Sequence, residues 1–455
     1  MIEDIDARIR DVARAVAAAG GRAVLVGGYV RDRLLGVKSK DYDLEIFGLA
    51  PDQVSELLGR FGEIVDVGRA FGVLRVKGID ADFSLPRRDS KSARGHRGFD
   101  IAVDPALDFS EASRRRDLTV NSIGLDPLSG EILDPHGGRA DLERRVLRAT
   151  DPRHFAEDPL RGLRTAQFAA RLEMTPDDEL TALCGELDLS ELPAERIYGE
   201  LRKLLTKARK PSLGFQFLER ARLLHFFPEL EALQGVAQDP RWHPEGDVWV
   251  HTLMVIDEAA ALRRGDPRDL ALMLAALCHD FGKPAVSTAD ADRVSAHKHA
   301  AVGARMARAF LERLRASADL CGQVEALVRH HLAPVQLVAQ GAGSGAYRRL
   351  ARKLDRAGVT MELLARVARA DHLGRTTEDA QRRVFPAGDA FLAAAEQASV
   401  AERAPGDIVQ GRHLRARGLE PGPQFGDILA RCREVQDDTG WTDADKILDK
   451  VLPRE

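Results

Sequence analysis

Two glycines, Gly27 and Gly28, end the apolar run AVLV and open a stretch patterned as a helix, Tyr29–Leu35. Glycine there lets backbone N–H groups approach a triphosphate, and a helix N-terminus favours an anion. Arg31, one turn in, adds a charge-assisted donor for a phosphate. Asp41 and Asp43 follow in KDYDLEIF. Residues two apart on a strand share a face, so both carboxylates project together. Like charges side by side call for a cation, and Mg²⁺ held by carboxylates and substrate phosphates is the usual solution. Asp82, in the strand-like DADFSL, supplies a third carboxylate. That set suits two-metal nucleotidyl transfer, one ion activating an attacking 3′-hydroxyl and the other holding the triphosphate. A Gly-Gly turn by itself serves packing as often as phosphate binding. Glu45, at the next position on the same face, fits a solvated polar strand.

A second set lies among histidines: His251 in WVHTLMV, His279 and Asp280 in ALMLAALCHDFGK, and Asp371 in VARADHLGR. His297, His299 and the pair His330–His331 lie between them. A lone histidine on an apolar helix is more often a core residue than a ligand. Taken together and in order, H…HD…D resembles the HD phosphohydrolase superfamily, in which two imidazoles and two carboxylates from separate helices hold a divalent transition metal that activates water or polarises a phosphate.

The elements that must position these groups fall into two patterns. Residues 22–150 alternate short apolar runs with turn residues (AVLVGG, DYDLEIF, GVLRVKG, DADFSL, GEILD), which predicts an α+β head with several strands. From about residue 151 the periodicity is helical almost to the end, punctuated by Pro193, Pro211 and Pro228, with QGAGSG at 340–345 read as a flexible loop. The expected division is a head over 1–150, a helical neck over 151–228, a second helical domain over 229–400 and a C-terminal helical segment over 401–455. Residues 3–19 read as an amphipathic helix rather than a signal peptide, and no apolar run reaches membrane-spanning length, so a cytoplasmic protein is expected. The 455 residues carry a net charge of −4, which excludes a generally basic nucleic-acid binder and leaves any RNA contact to local Arg and Lys patches. Four scattered cysteines without a C-x-x-C pair read as free thiols rather than a zinc site.

Beyond the first two motifs stand RRRDLTVNSI at 114–123, ILDPHGGRADL at 132–142, EDPLRGLRTAQFAARL at 157–172 and ELPAERIYGEL at 191–201. In this order they resemble the class II CCA-adding enzymes and the related bacterial poly(A) polymerases, over roughly residues 20–230 and on through FPELEAL and WHPEGDVWVHTL. The resemblance implies a polymerase-β-like nucleotidyltransferase head acting on tRNA with CTP and ATP, with Mg²⁺ on Asp41 and Asp43 and Asp82 as third carboxylate. It implies phosphate contacts from Gly27, Gly28 and Arg31, and ribose recognition and support of the site from Arg116, Asp117 and Asn121. Asp158 and Arg161 would read the base edge in place of a template, and Arg164 would add a nucleotide contact. Many relatives have Arg where this chain has Gln167. The basic stretch RRDSKSARGHRGF at 87–99 is similar to a mobile loop that shifts specificity from CTP to ATP. The resemblance to the HD phosphohydrolase superfamily implies His251, His279, Asp280 and Asp371 as metal ligands. CC-adding, A-adding and poly(A)-adding relatives, or a phosphohydrolase with a vestigial head, are the alternatives. No protein partner is implied.

Overall fold

The computed structural model describes residues 5–39, 41–68, 73–91, 99–290 and 293–453. The chain divides into two compact units, residues 1–200 with 213–226, and residues 201–212 with 227–455.

The first unit is built on a mixed sheet. Its strands are β1 (Arg22–Val26), β2 (Tyr42–Phe47), β3 (Ile64–Gly68), β4 (Val73–Val76) and β5 (Ala81–Ser84), then a separate hairpin of β6 (Arg87–Lys91) and β7 (Phe99–Val103), then β8 (Gly124–Leu125) and β9 (Ile132–Leu133). The spatial order is β3-β4-β5-β2-β1-β8-β9. Within this sheet β2 and β5 pair in parallel, because the helix Pro51–Gly59 and the β3–β4 hairpin intervene between them and carry the chain back to the same edge. β1 is buried on both faces: Val24 and Val26 join Phe47, Leu107 and Ala112 in one cluster. The helix Ala7–Ala18 packs against β1 and turns Ile9, Val12 and Val16 inward. Its first turn is capped by Asp6, whose carboxylate accepts from the Arg8 amide at 2.8 Å.

The stretch 87–99, expected as a loop, begins as β6 and ends at β7, with Lys91 opposite Phe99. Residues 92–98 of that stretch lie outside the described residues. The first strand is hidden in the sequence because RRDSK is polar at every position.

The second unit is helical. Helices Val248–Ala261, Asp269–Cys278, His299–Arg313, Ala318–His330 and Met361–Leu373 pack around a core in which residues 271–278 are wholly buried. Asp247, Ser317 and Thr360 cap three of these helices. The glycine stretch at 340–345 is a tight link, with Gly341 at φ +60° and the next helix starting at Ser344. Residues 401–455 close over a small core of their own, including Leu414, Cys432, Ile447 and Leu448. All four cysteines are free and buried. No helix among the described residues is long and apolar enough to cross a membrane.

Candidate functional site

In the first unit the parallel register sets Asp43 directly opposite Asp82. Asp41 lies one residue before β2 begins. Gly27, at φ +70°, turns the chain from β1 into the helix Gly28–Leu34, a conformation that a side chain would strain. A Cβ on Gly27 would lie 3.5 Å from both Asp43 Oδ2 and an Arg116 guanidinium nitrogen, so turn, carboxylate and guanidinium meet at one place. The surrounding protein strips water from the Asp43 carboxyl and raises its pKa. Arg116 pulls it down, while the carboxylates of Asp82 and Asp41 push it up. Asp82 is turned onto Arg75, with a second contact at 3.1 Å. Among the described residues the three carboxylates do not converge to within 4.8 Å of one another.

Glu45 is not a solvated residue. It is fully buried and receives Arg115 at 2.7 Å and Arg116 at 3.1 Å. Burial opposes its ionisation, but the charges of Arg116 and Arg115 prevail and hold its pKa below the usual range. Arg115 and Arg116, the second and third arginines of RRRD, are thereby tied to the same strand as Asp43.

The next residues of that motif run away from the sheet. Asp117 accepts from Asn121 at 2.9 Å and pairs with Arg164 at 2.7 Å. Asn121 in turn accepts from Arg31 at 2.5 Å. Arg31 is not presented at the surface: it is 2 % exposed, bonded to Asp32, and stacked 5.0 Å over the Phe168 ring. Any phosphate contact from it would first require release from these partners. Asp117 is held down to about pKa 2; burial works against this, and Arg164 and Asn121 outweigh it.

Asp158 and Arg161 do not share a helix face, because the helix runs Leu160–Leu172 and Asp158 precedes it. Asp158 accepts from the Leu160 amide at 3.1 Å and from Arg196 at 2.8 Å. Arg161 donates to the carbonyls of His154 at 2.5 Å and Arg115 at 2.6 Å. Each side chain is oriented by its own partners and keeps hydrogen-bonding capacity to spare. Gln167 is 2 % exposed, within the core of the helix rather than at its surface.

In the second unit His251, His279 and Asp280 offer ligand atoms within 4.8 Å of one another, and Asp371 Oδ1 lies 3.2 Å from His251 Nε2. All four residues are buried. Two further histidines join them: His299 Nε2 is 3.5 Å from Asp280 Oδ1 and 3.3 Å from His331 Nε2. His279, His299 and His331 each place Nδ1 2.7–2.8 Å from the carbonyl oxygen three residues earlier. A donor Nδ1–H leaves each Nε2 with its lone pair aimed at the shared centre. Buried His279 Nε2 has no well-aligned hydrogen-bond partner, and Asp280 Oδ2 lies 3.1 Å from it and 2.6 Å from Lys283 Nζ, so the carboxylate has a cation beside it while the imidazole lone pair is left open to a metal. Burial lowers the His331 pKa to about 4, which keeps that imidazole neutral and able to coordinate. A cavity of about 240 Å³ opens onto Asp280, His299, His331 and Asp371, with Lys283 and Arg375 in its wall.

Residues 23–148 match the poly A polymerase head domain, and residues 248–373 match the HD domain. A multifunctional CCA protein of Stenotrophomonas maltophilia strain K279a is 38% identical over 423 residues, covering 90% of this chain and 97% of the relative. The chain belongs to the multifunctional CCA protein family. Another member, from Aromatoleum aromaticum, is 38% identical over 362 residues, covering 76% of this chain and 84% of its own length. Among solved structures, the Bacillus stearothermophilus CCA-adding enzyme in complex with CTP superposes with a TM-score of 0.66 at 20% identity, covering 97% of this chain and 95% of that one. The Thermotoga maritima CCA-adding enzyme complexed with tRNA gives 0.59 at 18%, covering 99% and 96%. At that identity the likeness is one of fold.

Both domain families are metal-dependent, and the donor set of the HD centre fits a divalent ion. Glu45, His299 and His331 are the site residues that motif reading did not assign. His299 and His331 had a visible signal, since each sits at a helix end and is flanked by a second histidine. His297, by contrast, is exposed.

Proposed function

We propose that this member of the CCA protein family completes the 3′ end of tRNA by adding C, C and A from CTP and ATP without a nucleic-acid template. We further propose that its HD centre hydrolyses phosphate esters. The observation that carries the first part is Asp43 beside Asp82 on parallel strands, with the Gly27 turn and Arg116 at its carboxylate. Mg²⁺ held by Asp41 and Asp43, with Asp82 freed from Arg75, would supply charge neutralisation at the triphosphate and activation of the 3′-hydroxyl. The backbone at Gly27 and Gly28 leaves room for the phosphates. Arg116, braced by Glu45, stands beside them, and Asp117 with Asn121 supports the ribose contact.

Base choice falls to Asp158 and Arg161, with Arg164 as a further nucleotide contact. A carboxylate accepts and a guanidinium donates, so together they match an edge carrying an amino group beside an unprotonated ring nitrogen. Cytosine and adenine share that edge; guanine and uracil reverse it. The carbonyls of His154 and Arg115 orient one reader and Arg196 the other.

His251, His279, Asp280 and Asp371 would hold a divalent transition metal, which supplies an activated water and polarises the phosphate. Lys283, 2.6 Å from Asp280, and Arg375, 3.3 Å from Asp371, line the cavity and would turn to the bound ester once those carboxylates hold the metal. tRNA, CTP and ATP meet in the cytoplasm, and the protein is placed there.

The two halves separate by mutation. Asp43→Asn abolishes addition of both C and A while metal-dependent phosphate-ester hydrolysis persists. His279→Ala with Asp280→Ala does the reverse. Near-normal addition by Asp43→Asn contradicts the head assignment, and loss of addition in a folded His279→Ala/Asp280→Ala protein contradicts the separation.

A further inference from the structure

Glu245 is a carboxylate that no part of the chemistry above uses. Its side chain is 1 % exposed. One oxygen, Oε1, lies 2.9 Å from His243 Nδ1 and 2.8 Å from His251 Nδ1, the second contact off the ideal hydrogen-bond axis. The other oxygen, Oε2, accepts from the Thr376 amide at 3.1 Å. Thr376 follows the helix Met361–Leu373 that carries Asp371, while His251 stands in the first turn of the helix Val248–Ala261. A single buried carboxylate therefore reaches both ligand-bearing elements.

The contrast with the other three imidazoles is informative. His279, His299 and His331 each rest Nδ1 on a backbone carbonyl of their own chain segment. His251 alone of the four has an anion there. A carboxylate behind an imidazole fixes its tautomer and ring orientation and raises its basicity toward a metal. The His251 ring faces His243 at 4.6 Å between centroids on one side and His279 at 5.4 Å on the other, so rotation of this ring would disturb the whole row.

We propose that Glu245 is a positioning residue of the HD centre: it holds His251 with Nε2 toward Asp371 and braces the His251 helix to the end of the Asp371 helix. This rests on the assignment of the HD centre as a metal site. His243 is a second imidazole on the same oxygen and is not required for the brace.

Cobalt(II) binding to the full chain tests this, read both as a dissociation constant and as the visible absorption band of the bound ion. The His279→Ala/Asp280→Ala variant gives the baseline for cobalt held elsewhere. If wild type does not exceed that baseline, the metal-centre assignment itself fails. If it does, Glu245→Gln weakens cobalt binding by about 10- to 100-fold and shifts the band. Glu245→Asp, which keeps the charge, recovers part of the affinity, and CTP and ATP addition is unchanged in both variants. Wild-type affinity with an unshifted band in Glu245→Gln overturns the proposal. So does a parallel loss of nucleotide addition in both variants, which would make Glu245 a general folding residue.

Discussion

The Asp117 carboxyl, shut in by Arg164 and Asn121, makes a stability contribution with a defined pH window. Its pKa falls from an ordinary value of 3.8 to about 2 on folding. A carboxyl whose pKa is lowered by folding stabilises the protein above its unfolded value, and that contribution is lost as pH falls through the folded value. The shift corresponds to roughly 2 kcal/mol. Asp117→Asn should therefore lower the stability of the first unit by about that amount at pH 7. The gap to wild type should narrow between about pH 4 and pH 2, as followed by urea unfolding at a series of pH values. A gap independent of pH would mean the carboxylate is not what Arg164 binds. At this scale the sequence pointed to Asp43 and Asp82, which the β2–β5 register sets opposite each other, and to His251, His279, Asp280 and Asp371, which the fold brings to one place. Glu45 was not legible, because its partners lie 70 and 71 residues away, and Glu245 was not, because it stands in a loop without periodicity and reaches Thr376 131 residues on. The pairing of Asp82 with Arg75 was hidden likewise, since the two meet only across the β4–β5 register.

Between elements, glycines decide how closely the helices that carry the HD-centre residues approach. A Cβ on Gly282 of HDFGK would lie 2.1 Å from the His299 carbonyl oxygen, and one on Gly374 would lie 2.5 Å from Val255 Cγ2 and 2.9 Å from the Val255 nitrogen. The first contact brings His299 to Asp280, and the second brings the end of the Asp371 helix onto the helix that holds His251. Gly138 does the same in the first unit, where a Cβ would fall 2.3 Å from the Thr119 carbonyl oxygen beneath the turn that carries Asn121. These glycines are visible as letters in the sequence, but the backbone they touch is not. Gly282→Ala should destabilise the second unit by about 1–3 kcal/mol through overpacking against backbone. Gly322→Ala, in a helix with no neighbouring atom within 4 Å, should be neutral or stabilise by about 0.5–1 kcal/mol. Thermal unfolding of the two variants distinguishes them, and equal effects would contradict the close-approach argument. The strands AVLV, DYDLEIF and DADFSL and the helical second half were legible from periodicity. The first strand of the β6–β7 hairpin was not, since RRDSK has no apolar alternation to declare it, whereas Phe99, Ile101 and Val103 of β7 do alternate.

At the scale of the whole molecule, two chemistries are proposed for one chain: the head would extend an RNA end with carboxylates on strands, and the HD centre would act on phosphate esters with imidazoles on helices. Composition gave little warning of either, because a net charge of −4 conceals local arginine clusters that are largely occupied by internal carboxylates. The change from strand to helical periodicity near residue 151 was readable. The assignment of residues 151–200 to the same compact unit as the head was not, because that depends on contacts such as Asp117 with Arg164 rather than on pattern. The central claim is that the head chooses C, C and A by itself and then stops. Incubating the protein with tRNA that lacks its CCA end, and resolving the products by length with CTP and ATP supplied singly and together, tests it most directly. The account predicts two residues added with CTP alone, and three with both nucleotides and no further growth. A long A tail, a single addition, or no addition with only phosphate released would contradict it.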